Sequence, residues 1–431
     1  MKKILNSYKM FIFFLCACLC LGICYGGISK PCVLRLGIFA GSNWDVPGSN
    51  VYEIINDAIA RFEKENPQID VVYESGIRKE DYSNWLCGKV LKGEMPDVFM
   101  VLDNEFPTLA NIQALHPLDH FTQGANGIDV NQFYQATYNA GKWNNTLYAL
   151  PYESNLQFMF VNLTLLKNEG IEVPDENWTL SDLYRICEQV TKDTNSDGRN
   201  DQFGIYNYDW QNSMLAFQER LFEADGSKTR LQEKSVSEAI KYAFQLDELR
   251  EDTTITQNDF DQGRVAFSPM SYAEYKTYKP YPWKIKKFSR FDWTIIPMPA
   301  KNAGEISSAT DSLLMSMSST TNHPQESWEL LKTLCYDVQT REMLKEYSQG
   351  FPATKPFVDS TMDKTFDDQL DPKLLETVLT RSKPLVRFPN YENMLTLADN
   401  QIRSGYQNAK DKDLFMIELQ KTMDDALKSN Q

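Results

Sequence analysis

Histidine is scarce, with three residues in a chain of 431. His116 and His120 flank Pro117, which breaks the helix that an HExxH zinc site requires, and His323 sits directly before Pro324. No GxSxG elbow, Walker A loop or GxGxxG loop occurs, so the sequence forms of a hydrolase nucleophile and of a nucleotide site are missing. Cysteine is unevenly used. Four of the eight (Cys16, Cys18, Cys20 and Cys24) lie in the first 24 residues. The others, Cys32, Cys87, Cys187 and Cys335, are far apart with no CxxC pair, which argues against zinc. Cys187 and Cys335 fall in amphipathic helical patterns and read as small core residues. Their spacing leaves disulfide pairing open. Positive charge is also short: Lys and Arg number 44 against 59 Asp and Glu, for a net charge of −15. Such a chain is repelled by nucleic acid phosphates and by an anionic membrane surface. Internal repeats, low-complexity tracts and long linkers are absent.

What is present suits a large exported globular protein. A length of 431 residues exceeds what a single core of ~250–300 residues holds, so two lobes are the default. Aromatics at 12% suit a ligand that stacks, and equally a large core. Residues 1–24 carry Lys2, Lys3 and Lys9 ahead of an apolar run over residues 10–23, the pattern of a secretory signal. Leu15-Cys16-Ala17-Cys18 fits a bacterial lipobox, making Cys18 a candidate for a lipid anchor. Leu21-Gly22-Ile23-Cys24 fits less well, because isoleucine is large for its position, and Cys24 is the second candidate. Plain cleavage after Gly26 or Gly27 is the alternative.

Along the chain, strands at residues 32–39, 69–73 and 98–102 alternate with helices at 51–64 and 80–91. That order predicts a parallel βαβ sheet, whose ligands sit beyond the carboxyl ends of the strands. The loops at 41–45 and 103–106 therefore stand out. The stretch 147–206 reads as an apolar run stopped by Pro151, a strand at 155–162, a helix at 163–170 ending on glycine, and an irregular link from Pro174 to Trp178. A helix capped by Thr179 follows, with Asp182 three residues on, then the acidic loop DTNSDGRND and a strand at 203–206.

This ordered set of Leu-Pro-Tyr, Val161-Asn162, Pro174, Trp178 and Asp-Gly-Arg-Asn-Asp-Gln-Phe-Gly resembles the signature region of the extracellular solute-binding proteins of ABC importers, the family that includes maltodextrin- and multiple-sugar-binding proteins. Gly93-x-x-Pro96-Asp97-Val98-Phe99, the run at 263–267, the return strand at 291–299, the element at 313–328 and the shortened Gly350-Phe-Pro-Ala353 extend the likeness over about residues 33–359. The resemblance implies an α/β, two-lobed periplasmic-binding-protein-like fold (type II), with two mixed or parallel sheets flanked by helices and a hinge and cleft between them. Lobe 1 would comprise residues 33–153 plus 292–347, and lobe 2 residues 154–291 plus 350–431. It further implies capture of an extracellular carbohydrate, preferably an oligosaccharide, for membrane permease subunits. The protein would act as a monomer, with a lipid anchor as its membrane contact, at the outer face of the cytoplasmic membrane or in the periplasm or medium.

A sugar offers C–H faces to aromatic rings and hydroxyls to carboxylates and amides. Trp44, beside Asn43, is the leading ring, and Asp103, Asn104 and Glu105 follow the third strand. Tyr152, Glu153 and Asn155 lie at the first lobe crossing, while Asn207, Tyr208 and Trp210 follow the strand at 203–206. Tyr272 and Tyr275 fall in the loop expected after Phe267, and Asp311 and Phe351 complete the set. Each ring taken alone is as readily core as ligand-facing. The implied function requires no cofactor. A structural calcium ion has one candidate place, since Asp193, Asn195, Asp197 and Asp201 with Gly198 follow a calcium-loop spacing. Gly204 stands where the loop's bidentate glutamate belongs, so an Asx-rich turn is the competing reading. The rival functions are an exported carbohydrate hydrolase or lyase using two cleft carboxylates, and a binding protein that serves a sensor kinase.

Overall fold

Alternating apolar residues build the first lobe. The computed structural model describes residues 32–278, 291–305, 307–355, 372–385 and 387–429. The two lipidation candidates, Cys18 and Cys24, lie outside them. Strand β1 (Cys32–Gly37) buries Leu34 and Leu36, and helix α1 (Val51–Glu65) buries Ile54, Ile55, Ala58 and Phe62 along one face. Strand β2 (Ile69–Tyr73), helix α2 (Lys79–Lys92) and strand β3 (Val98–Val101) follow. Strand β1 pairs in parallel with both β2 and β3, which is the expected βαβ arrangement. Beyond β3 come the short helices α3 (Phe106–Asn111) and α4 (Gln135–Ala140), then a hairpin of β4 (Lys142–Trp143) and β5 (Thr146–Leu147).

Strand β6 (Ala149–Asn162) then runs for 14 residues, with every side chain buried but that of Gln157. The sequence predicts a stop at Pro151 and a fresh strand at 155, but the strand is continuous. Its partner's register skips Tyr152, pairing Leu313 with Glu153 and Leu314 with Pro151. A bulge is a position where a proline without an N–H fits inside a sheet.

After β6, the second lobe is laid down as α5 (Leu163–Asn168), α6 (Leu180–Val190), β7 (Phe203–Ile205), α7 (Trp210–Ala216), α8 (Lys234–Glu248), α9 (Gln257–Asp261), β8 (Val265–Ser271), α10 (Tyr272–Tyr278) and β9 (Trp293–Ile296). Asn162 ends β6 and caps α5 through Leu165 N, while its amide donates to Gly263 O at 2.9 Å. Thr179 and Asp182 form the predicted capping box of α6. The chain returns on β10 (Ala309–Met317), continues through α11 (Pro324–Cys335), α12 (Val338–Tyr347) and β11 (Phe351–Pro352), and finishes with α13 (Pro372–Arg381), β12 (Lys383–Pro384), α14 (Tyr391–Gly405) and α15 (Lys412–Ser429).

The main sheet has ten strands, in the order β2-β1-β3-β10-β6-β8-β7 along its length. It is mixed: β10 runs antiparallel to both β3 and β6. The first half of β6 pairs with β10 and β11, and the second half with β8 and β9. The return crossing therefore falls later than the expected residue 292. Strand β9 pairs with Met159–Asn162, and Trp293 and Ile295 pack in a second-lobe core with Phe160. The first lobe has one core around β1, β3, β10 and α11, with Trp328 fully buried. The cysteines at 32, 87, 187 and 335 are free, and Cys187 and Cys335 are buried as predicted. No described helix is long and apolar enough to cross a membrane.

Gly204 on β7 tests how closely this lobe is packed. A Cβ there would lie 2.4 Å from the Cα of Cys187 on α6. Gly204→Ala is expected to lower stability by about 1–3 kcal/mol. Gly88→Ala, in the interior of α2 with open space around it, should raise stability by about 0.5–1 kcal/mol. Urea denaturation of the two variants checks both signs.

Candidate functional site

The carboxyl end of β3 and the middle of β10 meet at the edge of the first lobe, and there the two lobes enclose a cavity of about 870 Å³. Asp103 reaches it from the first lobe, together with Phe106, Pro107 and Asn111 of α3 and Trp143 of the β4–β5 hairpin. The hairpin turn uses Asn144 and Asn145 at φ 49° and 66°, the left-handed pair that asparagine tolerates and that a two-residue hairpin needs. Thr310, Asp311, Ser312 and Leu314 of β10 form the floor. The second lobe contributes Asp225, Gly226 and the segment Arg387 to Asn390.

Charge in this cavity converges on Arg387. Its guanidinium lies 2.5 Å from Asp103 and 3.6 Å from Asp311, contacts Glu392, and sits over the Tyr391 ring at 5.7 Å. Burial works against the guanidinium, and the three carboxylates hold it charged. Burial pushes the Asp103 carboxyl well above its ordinary range, and a hydrogen bond and repulsion from Asp311 add to this while Arg387 opposes it. The ion pair is close but not aligned as a hydrogen bond. Among the described residues, Asp103 Oδ2 and Arg387 Nε have no hydrogen-bond partner. Arg387 Nε is thus a buried donor without a partner, beside a carboxylate that the other arm of the same guanidinium meets.

Of the residues singled out in the sequence, Asp103 and Asp311 are brought together on this cavity; the others are placed elsewhere. Asn104 is exposed beside it. Glu105 is turned to Ser83 of α2, with burial raising its pKa. Asn43 gives its carbonyl to Lys79 Nζ at 2.5 Å. Trp44 packs against the first-lobe core, its Nε1 facing Glu153 close enough to lower that carboxyl's pKa without a hydrogen bond of standard geometry. Tyr152 is a core ring, 2% exposed. Asn155 Oδ1 accepts the amides of Leu156 and Ala273. Asn207 and Tyr208 line a separate second-lobe pocket of about 270 Å³, and Trp210 is buried, donating to Asp399 at 2.8 Å. Tyr272 and Tyr275 stand on α10 where a loop was expected, and both rings pack with Phe351 in one core cluster. For the rings among them the placement has a common cause. Aromatic rings next to a strand end are drawn into the nearest core unless polar neighbours hold them out.

Trp143, Arg387 and Glu392 are the residues that sequence reasoning passed over. Trp143 had a signal in the Asn-Asn turn beside it, which marks a hairpin tip. Arg387 lies in the carboxyl-terminal part, where no motif points to it.

The acidic loop is folded on itself. Asp193 accepts the amides of Asn195, Ser196, Asp197 and Gly198, and Gly198 contributes most to holding its carboxyl below the usual range. Asp197 accepts from Arg199 N, and Asp201 from Thr194. Asn195 donates to Asp197. Among the described residues, no three His, Cys, Asp or Glu side chains are grouped so as to hold a metal ion. This arrangement is that of an Asx-rich turn.

Two lobes joined by shared strands around a polar cavity define a solute-capture protein of the two-lobed class. The family model for bacterial extracellular solute-binding proteins matches residues 45–334, and the chain belongs to that family. It is similar to the multiple sugar-binding protein of Streptococcus mutans, at 28% identity over 132 residues, 31% of this chain and 29% of that protein's length. Among solved structures it resembles the sugar-binding protein MalE of Xanthomonas citri, with a TM-score of 0.74 at 16% identity over 92% of this chain and 98% of the other. It also resembles the cyclic alpha-maltosyl-1,6-maltose binding protein of Arthrobacter globiformis, with a TM-score of 0.73 at 12% identity over 93% and 100%. At these identities the structural likeness establishes the fold.

At the lobe crossing, Glu153 is fully enclosed by Ser348, Trp44, Gly350 and Lys276, and burial raises its pKa from 4.5 to about 7. A carboxyl raised in the folded state contributes stability that is present below about pH 4.5 and lost as pH climbs through about 7. Unfolding free energy should fall by on the order of 3 kcal/mol across that window. Glu153→Gln should flatten the slope. Urea midpoints at pH 5 and pH 8 that differ equally in both proteins would remove Glu153 as the cause.

Proposed function

We propose that this protein captures a carbohydrate, with an oligosaccharide favoured, in the cavity between its lobes and delivers it to the permease subunits of an ABC importer. The observation that carries this reading is a polar cavity of about 870 Å³ between the lobes, in which the buried donor Arg387 Nε has no hydrogen-bond partner among the described residues. A sugar hydroxyl both donates and accepts, so one hydroxyl would accept from Arg387 Nε and donate to a carboxylate beside it. Trp143 supplies a ring for the C–H face of a pyranose. The sugar-binding names of the relatives support the same class. Binding would draw the lobes together about the crossings at β6 and β10, a hinge closure.

No bond is broken in this reading and no cofactor is needed. Glycoside hydrolysis uses two carboxyls about 5–9.5 Å apart on either side of the scissile bond, whereas Asp103 and Asp311 touch each other through a hydrogen bond. The protein would work as a single copy outside the cell, held at the membrane by a lipid on Cys18 or Cys24 or released as a soluble protein.

A thermal-shift screen against mono- and oligosaccharides tests the reading. A bound sugar at a hundredfold excess over Kd adds ~2.7 kcal/mol of stability, a clear rise in Tm. Trp143→Ala should weaken the sugar that binds by roughly tenfold in calorimetric titration. A flat response to every sugar removes carbohydrate as the solute.

A further inference from the structure

The chain crosses between the lobes again after α12, at residues 348–351, and a lysine spans that crossing. Helix α12 ends at Tyr347, with Leu344 buried in the first-lobe core. The hydroxyl of Ser348 then donates to Glu153 on β6 and accepts Gly350 N at 3.0 Å. Phe351 pairs with Ser154 and meets the Tyr272 ring of α10 edge-on at 5.7 Å, inside the second-lobe core. Helix α10 is therefore seated on the second-lobe end of the crossing. One turn further along it, Lys276 reaches back to the first-lobe end, donating to Lys345 O at 2.9 Å and Ser348 O at 2.6 Å. Carbonyls in the last turn of a helix have no donor within it, and the dipole there favours a cation.

We propose that Lys276 is a positioning residue for solute capture: it braces this crossing in the arrangement where Arg387 of the second lobe reaches Asp103 of the first, and so sets the share of closed protein from outside the cavity. The proposal rests on the reading above that the protein closes on its solute. Neither Lys276 nor the two carbonyls it meets lines the cavity. The two sides of the contact are anchored in different cores, α10 through Tyr272 and Tyr275 and α12 through Leu344. Rotation of one lobe against the other therefore changes both distances. A displacement of about 1 Å takes either bond beyond hydrogen-bonding range. Hydrogen bonds from an ammonium are of the strong, charge-assisted kind, so losing them on rotation favours the closed arrangement over the open one.

The test compares the full chain with Lys276→Met and Lys276→Gln, which remove the charge, and with Lys276→Arg, which keeps it. Small-angle X-ray scattering without solute should give a larger radius of gyration for the two neutral variants and the unsubstituted value for Lys276→Arg. Calorimetric titration with the sugar that the thermal-shift screen identifies should show the neutral variants binding roughly tenfold more weakly. Lys276→Arg should bind as the unsubstituted protein does. An unchanged radius in the neutral variants overturns the proposal, and a lower Tm without a larger radius marks Lys276 as merely structural. A loss of affinity that Lys276→Arg fails to restore also overturns it. A flat response to every sugar removes carbohydrate as the solute, and the scattering comparison still decides on Lys276.

Discussion

Strand β6 serves both lobes at once within the one sheet, and this sharing constrains everything else in the molecule. Its first half pairs with β10 and β11, and its second half with β8 and β9. Both lobes are therefore hydrogen-bonded to one rod, and relative motion must be taken up where the partners change. That stretch has a composition of its own. Glu153, Ser154 and Asn155 are consecutive buried polar residues in a strand that is mostly apolar on either side of them. Each is met by a specific partner: Ser348 for Glu153, Ser312 for Ser154 at 2.8 Å, and the amide of Ala273 for Asn155. An apolar crossing would be stable in one packing. A crossing built of satisfied hydrogen bonds fixes the register and leaves the lobes to exchange partners when they move.

The cleft is costly in the same way. Asp103, Asp311, Glu392 and Arg387 are crowded at the meeting of β3, β10 and α14, and Glu153 is enclosed a few residues along β6. Buried charge of this kind weakens the empty fold relative to an apolar replacement. Retaining it is intelligible if the groups meet a solute that supplies the missing partners, since functional sites are commonly where a protein gives up stability.

Legibility in the sequence followed the range of the interactions. Period and capping are local, so α1, the α6 capping box at Thr179 and the parallel βαβ start were readable residue by residue. The two-lobed architecture came from ordered short motifs. The stop predicted at Pro151 was misleading because the bulge that accommodates it is made by Leu313 and Leu314, some 160 residues away. Site residues fared unevenly for the same reason. Asp103 could be placed by the rule that loops after parallel strands face the ligand. Tyr272 and Tyr275 could not, because α10 turns both rings inward. Arg387 is the extreme case. It lies between a two-residue strand and a helix with no motif around it, and two of the three carboxylates that give it importance stand nearly 300 and 80 residues earlier.

Among the contacts that cross between the lobes away from the shared strands, the placement of two bears on how closure would be driven. Arg387 in the second lobe meets Asp103 in the first. Lys276 of α10 donates to the carbonyls of Lys345 and Ser348 at the end of α12, at 2.9 and 2.6 Å, where the helix dipole favours a cation. The second contact is remote from the cavity wall and can stabilise closure whether or not solute is present. The first lies in the cavity itself, and a solute that pairs with Asp103 changes its environment directly. A ligand shifts a conformational equilibrium only by the difference in its affinity for the two states. In this molecule that difference has to arise at groups contributed by both lobes. Asp103 and Arg387 are such a pair, one from each lobe, so a solute that met both would tie its recognition to closure.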